Sequence, residues 1–218
     1  MSAPNTAAST PTSTAIDTSA YTPDKGDRGA FWFSIIVGGA LTIVSAVLSV
    51  VRIVEILRPG PTPVMVKMVD ITAAIPLSNG EVLPAAISTA EIQATELPLT
   101  SVVAGVTGPI LTTLTLAAIT ICLTLLALSI MRGRIFSKRN TKLVVAASLT
   151  GLLGFSFANL CNTMLANGAL AWATGNEIDN TVVSIEPAIY LIGAFAAGVV
   201  ITVFTAGERM QRDTEGLI

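Results

Sequence analysis

The chain has 218 residues, 52% of them hydrophobic and 12% charged, with a formal net charge of −2. A soluble domain carries about 25% charged residues, so half that charge on so apolar a chain points to lipid as its solvent. There is no basic excess to suggest nucleic acid, and no histidine, which removes His-based acid–base relays, serine triads and histidine ligation of metals or haem.

Residues 1–29 form a tail rich in Ser, Thr, Ala and Pro. It lacks the apolar surface to fold alone and reads as a disordered cytoplasmic tail. It does not read as a secretory signal, because Lys25 and Arg28 directly precede an apolar run too long for a signal core. That run, residues 30–57, is the first expected span. It exceeds the roughly 20 helical residues that cross a hydrocarbon core, so its far end should protrude. Arg52 and Glu55 lie in that end, three apart on one face, as a local ion pair.

Arg58-Pro59-Gly60-Pro61 stops the helix. Residues 58–106 are too polar for lipid and read as a small β-rich extracytoplasmic segment. Val64 to Thr72 and Ala86 to Leu97 are strand-like, with a turn signal at Ser78-Asn79-Gly80 and a third short strand near Glu81–Leu83. A lone hairpin is marginal in water, so it should lean on the helix ends or on another protein.

The second span is expected over residues 107–131, opened by Gly108-Pro109, because proline suits the first helical turn. Residues 132–140 form a basic loop, and Asn140 is the expected cap of a third span over residues 141–166. An acidic loop, 167–183, leads to the fourth span, 184–204, and to a polar cytoplasmic tail, 205–218. Cys122 and Cys161 fall inside spans at depths on the order of 15 Å apart by helical rise. A disulfide is therefore not expected, since it needs Cα atoms within about 7 Å. The fold class is an all-α membrane protein, a four-helix transmembrane bundle with a β-rich insertion between its first two helices.

Lysine and arginine concentrate on cytoplasmic connections. Lys25 and Arg28, the central loop with Lys142, and Arg209 with Arg212 place nine on one side, against Arg58 and Lys67 on the other. Both termini are therefore expected in the cytoplasm, in a bacterial plasma membrane. The basic loop can contact anionic lipid, although setting topology explains most of its charge.

Polar side chains inside spans are costly unless paired. Asn159, Asn162 and Thr163, with Ser156, lie on the third span. They read as helix–helix glue or as a polar cavity near the outer leaflet. Gly38 with Thr42, Gly193 with Ala197, and Ala194 with Gly198 put small residues four apart, which permits close helix packing. There is no phosphate-binding glycine loop, no zinc signature, no acid clearly at mid-membrane and no internal repeat. We expect no catalytic residue, cofactor or metal.

The loop Gly133-Arg134-Ile135-Phe136-Ser137, followed by Asn140, and the tail from Gly207 to Ile218 share a pattern. Together they resemble an uncharacterised bacterial family of four-span membrane proteins, a domain of unknown function, over roughly residues 30–218. The family pairs a G-x-x-F-S loop with a G-x-x-L-Q-x-D-x-E-G-L-V tail; Met210 and Ile218 replace the Leu and Val here. The resemblance implies a fold and topology but no activity, and relatives look like partners of small helix-turn-helix regulators. Both motifs fall on the cytoplasmic side, where Arg134 and Arg139 could reach Glu208, Asp213 or Glu215, with Phe136 and Gln211 as further contacts. The tail is expected to fold back as a helix against the loop. The leading functional expectation is a non-enzymatic accessory subunit docked on a larger membrane complex, a respiratory assembly being one such host. The alternatives are a regulator signalling to a cytoplasmic partner and a small transporter using the Asn159 and Asn162 face.

Overall fold

The structure, a computed structural model, describes residues 25–78, 80–133, 135–175, 177 and 187–215. The tail before residue 25, the acidic loop beyond Glu177 and the last three residues lie outside these, as do the expectations placed on them. In chain order the elements are α1 (Lys25–Leu57), β1 (Thr62–Pro76), β2 (Val82–Ala94), α2 (Leu99–Met131), α3 (Lys138–Thr174) and α4 (Pro187–Glu215). All four helices are long and apolar enough to cross a membrane, as in a multi-pass membrane protein.

Every helix is longer than the span read from its hydropathy. α1 begins five residues early, at Lys25, and at 33 residues is about 50 Å long. Apolarity marks where lipid is tolerated, whereas backbone hydrogen bonding continues until something breaks it. α2 begins at Leu99, not at Gly108-Pro109. The Pro98 carbonyl accepts hydrogen bonds from the amides of Ser101 and Val102, at 2.9 and 3.0 Å. Pro109 therefore lies inside the helix, where it has no N–H to donate to the Gly105 carbonyl. In a membrane span packed on neighbours such a gap is tolerated. α3 starts earlier than expected, because the Ser137 hydroxyl caps it by accepting the Asn140 amide at 3.2 Å. Asn140 is therefore inside the first turn, fully buried, and its Nδ2 donates to the Ile135 carbonyl at 2.9 Å. α3 also overruns its expected end by eight residues, to Thr174, and closes on Gly175 at φ +59°.

That overrun has a cause. β1 and β2 form a two-stranded antiparallel hairpin, and residues near Glu81–Leu83 open β2, with Val82 opposite Pro76 and Leu83 opposite Ile75. The base of the hairpin packs on the ends of α1 and α3, where Ile56, Val64, Val66, Ala94, Leu165, Ala169 and Leu170 make one buried cluster. Burying a Val or Leu side chain is worth about 1.5–3 kcal/mol, enough to keep the last turns of α3 helical under the strands. Past Lys67 the register shifts, the pairing resuming at Ile71 opposite Ile87. Beyond that shift Ile75, Val82 and Leu83 are 46%, 60% and 50% exposed.

The helices pack in chain order. α2 and α3 share the largest helix–helix interface, α1 lies on α2, and α4 lies on α3. Among the described residues α1 has no extensive contact with α3 or α4, so the bundle is open, with α1 and α4 as flanks.

Candidate functional site

The α2–α3 interface is built by reciprocal insertion. A Cβ on Gly105 would lie 3.0 Å from Ile56 Cδ1 and 3.1 Å from Leu165 Cδ1. One on Gly108 would meet Asn162 Oδ1 at 2.9 Å. In return, Thr115 of α2 fills the space at Gly154 of α3, and Ser101 fills that at Gly168. Each helix lends its glycines as holes for the other's side chains, which lets two backbones approach closely.

Above this interface, under the hairpin base, lies a cavity of about 420 Å³ bounded by Arg52, Pro63, Glu91, Pro109, Asn162 and Leu165 among others. Arg52 donates to Glu55 Oε2 at 3.0 Å, the expected pair, and to the Pro63 carbonyl at 2.9 Å. Its charge is thus held and largely answered. Asn162 packs over Gly108 and also lines the cavity. Asn159 and Thr163 are half-buried and do not line it.

A hydroxyl seam joins α1 to α2. Ser49 Oγ donates to the Pro109 carbonyl at 2.9 Å and lies 2.7 Å from Thr113 Oγ1. Thr113 also meets Ser45 Oγ at 3.2 Å. Further along, Thr42 and Thr120 pair at 3.1 Å. Gly38 admits Thr120, whose Cγ2 is 3.1 Å from the Cβ position. Of this seam only Gly38 and Thr42 stood out in the sequence. Ser45 with Ser49, four apart, and Thr113 with Thr120, seven apart, carry the helical spacing that pointed to the rest.

At the opposite end, the central loop and the end of α4 meet. Phe136 packs edge-on against Phe204, ring centres 5.7 Å apart at 64°, and its ring covers Gly207. Thr141 Oγ1 donates to Glu208 Oε2 at 3.1 Å, and Arg212 pairs with Glu208 Oε1 at 2.9 Å. The loop and tail motifs do come together, but not as a fold-back: residues 205–215 continue α4 without a break. Glu208 takes Arg212, one turn on along α4, and Thr141, in the first turn of α3, as its partners. Arg134 lies outside the described residues. Arg139, Gln211 and Asp213 are exposed, and Glu215 closes α4.

α4 is held chiefly at this end. Tyr190, Ala197, Ile201, Phe204, Thr205 and Glu208 are half-buried at helical spacing, yet nothing lies within 4 Å of a Cβ placed on Gly193 or Gly198. Gly193 and Gly198 therefore present a face that no other part of the described chain fills, whereas Ala197, the expected companion of Gly193, is on the half-buried side of α4. Cys122 and Cys161 are free and half-buried. Among the described residues no group of three or more Cys, Asp or Glu could hold a metal ion. Compared with protein-family models, curated proteins and solved structures, the chain matches none of them.

Proposed function

We propose that the chain is a non-enzymatic accessory subunit of a bacterial plasma membrane, with both termini cytoplasmic and the hairpin outside. It docks on a larger membrane protein complex, for which a respiratory assembly is one candidate. The observation that carries this is the far half of the hairpin. Val82 and Leu83 there are at least half exposed, opposite Pro76 and Ile75, on a hairpin that the proposed topology puts outside the spans and away from lipid. Large apolar side chains presented together to water mark an interaction surface. The open flank of α4, with Ile192 69% and Phe195 75% exposed, supports the same reading within the membrane. The lack of histidine supports a role without acid–base chemistry.

The test is a photo-crosslinker at position 82 in living cells, followed by purification in mild detergent and mass spectrometry. The expected result is one recurrent integral membrane partner in a large assembly, lost when Val82 and Leu83 are both changed to Asp. A chain that crosslinks to nothing and migrates alone would overturn the proposal.

One observation favours a second reading, a regulator acting through its cytoplasmic end: Phe136 joins the central loop to Gly207 and Phe204. A soluble partner could read the state of that joint. Phe136→Ala would then alter the partner's binding without changing the crosslink at position 82.

A further inference from the structure

We infer that the cavity under the hairpin base is a binding site for the head of a phospholipid that carries both a phosphate and a primary ammonium. Five elements wall this space of about 420 Å³: Arg52 comes from α1, Met65 from β1, Glu91 from β2, Gly105 and Pro109 from α2, and Asn162 from α3. Its depth is that of a headgroup layer. Arg52 lies 24 positions from Arg28, Pro109 23 from Arg132 and Asn162 20 from Lys142. At about 1.5 Å per residue these are rises of roughly 30–36 Å, against about 30 Å for a hydrocarbon core. Three helices thus bring their cavity residues one bilayer thickness away from the basic end of the bundle.

Two unmet hydrogen-bonding groups border the same space. Pro109 leaves the Gly105 carbonyl without its helical donor, and both residues line the cavity. The Asn162 amide makes no hydrogen bond to any described residue, which is costly for a polar group on a membrane span. The charges select the ligand that answers them. Arg52 commits one nitrogen to Glu55 and another to the Pro63 carbonyl, but a guanidinium has five N–H donors, so some remain. Glu91 accepts from Gln93 Nε2 at 3.3 Å on one oxygen, and its other oxygen has no partner among the described residues. With Glu55 beside Arg52, two carboxylates stand against one cation, which disfavours a head that is only anionic. A primary ammonium brings three donors, matching the Glu91 carboxylate, the Gly105 carbonyl and Asn162 Oδ1. The adjoining phosphate takes Asn162 Nδ2 and the remaining N–H groups of Arg52. A choline head has no N–H to donate, and a glycerol head has no positive charge for Glu91. This inference does not depend on the accessory-subunit reading.

The test uses the full chain purified in detergent. It is titrated with phosphatidylethanolamine, phosphatidylcholine and phosphatidylglycerol of the same acyl chains, and with glycerophosphoethanolamine, which is the head without chains. Native mass spectrometry and the shift in melting temperature are the readouts. Phosphatidylethanolamine should be retained as a single adduct at least about tenfold better than either other lipid, the scale of one or two hydrogen bonds to charged groups. Glycerophosphoethanolamine at equal concentration should not displace it. Glu91→Gln should weaken that retention, while Glu96→Gln, an equal change in net charge, should not. Asn162→Leu, which keeps the volume and removes both polar atoms, should also weaken it. Pro109→Ala returns an N–H to the Gly105 carbonyl; it should narrow the preference for ethanolamine over choline without lowering the melting temperature of the lipid-free chain. Equal retention of the ethanolamine and choline lipids by the unaltered chain overturns the inference without any variant having to fold. Displacement by the chainless head, or equal losses in the two glutamate variants, also overturns it.

Discussion

Two sets of glycines look alike in the sequence and have opposite fates in the fold. Gly154 and Gly168 are filled by Thr115 and Ser101 across the α2–α3 interface. Gly193 and Gly198, on α4, meet nothing. The difference lies in the partner. A glycine becomes a packing site only where the facing helix offers a side chain at the matching height, and α2 and α3 offer such side chains in both directions. α4 instead faces α3 with contacts concentrated near Phe204 and Glu208. Spacing of small residues shows where helices can approach; reciprocity decides where they do.

Substitution sharpens that contrast. The largest effect is expected for Gly154→Leu, which places a side chain into space already held by Thr115. Overpacking of this kind costs about 1–3 kcal/mol or more, so unfolding in detergent should show a marked loss of stability or no folded protein. Next is Phe136→Ala, which removes the ring from Gly207 and Phe204. A half-buried aromatic pair is worth about 0.5–1.5 kcal/mol beyond its buried area. Limited proteolysis should then cut residues 205–215 faster while the α2–α3 interface stays intact. Thr113→Val is smaller. It deletes the hydroxyl that Ser45 and Ser49 share, and interhelical hydrogen bonds in membranes average about 0.6 kcal/mol. The smallest effect is expected for Gly193→Leu, which should leave the melting temperature of the isolated chain unchanged. If Gly193→Leu destabilised the chain as Gly154→Leu does, the two sets of glycines would not differ as described.

Much of this was legible beforehand. Four apolar runs, a turn between Leu77 and Glu81, and the Arg52–Glu55 pair followed from residue type and spacing, and the loop and the end of α4 do meet, though through Phe136 and Thr141. What was not legible depended on contacts between distant segments. Pro109 reads as a helix start because local chemistry favours it there, and only the packing of α2 on both neighbours makes it an interior residue. Residues 167–174 read as part of the acidic loop, but the hairpin base buries Ala169 and Leu170 and they continue α3. Asn162 packs over Gly108 and borders the cavity, yet its companions there, Arg52 and Glu91, lie 110 and 71 positions earlier in the chain. No periodicity links them. The tail was placed against the right loop with the wrong geometry, since nothing between Phe204 and Gly207 told a straight helix from a bent one.

The register shift in the hairpin has a mechanical consequence. Between Lys67 and Ile71, β1 carries three residues where β2 carries one. Surplus backbone on one side of a ribbon bends it and tightens its twist. The direction in which the outer half points is thus written into the strand lengths themselves, much as a bent strut fixes the angle of what it carries. Deleting Val69 and Asp70 would straighten the ribbon and swing its apolar tip elsewhere, while the anchored base kept every neighbour it has.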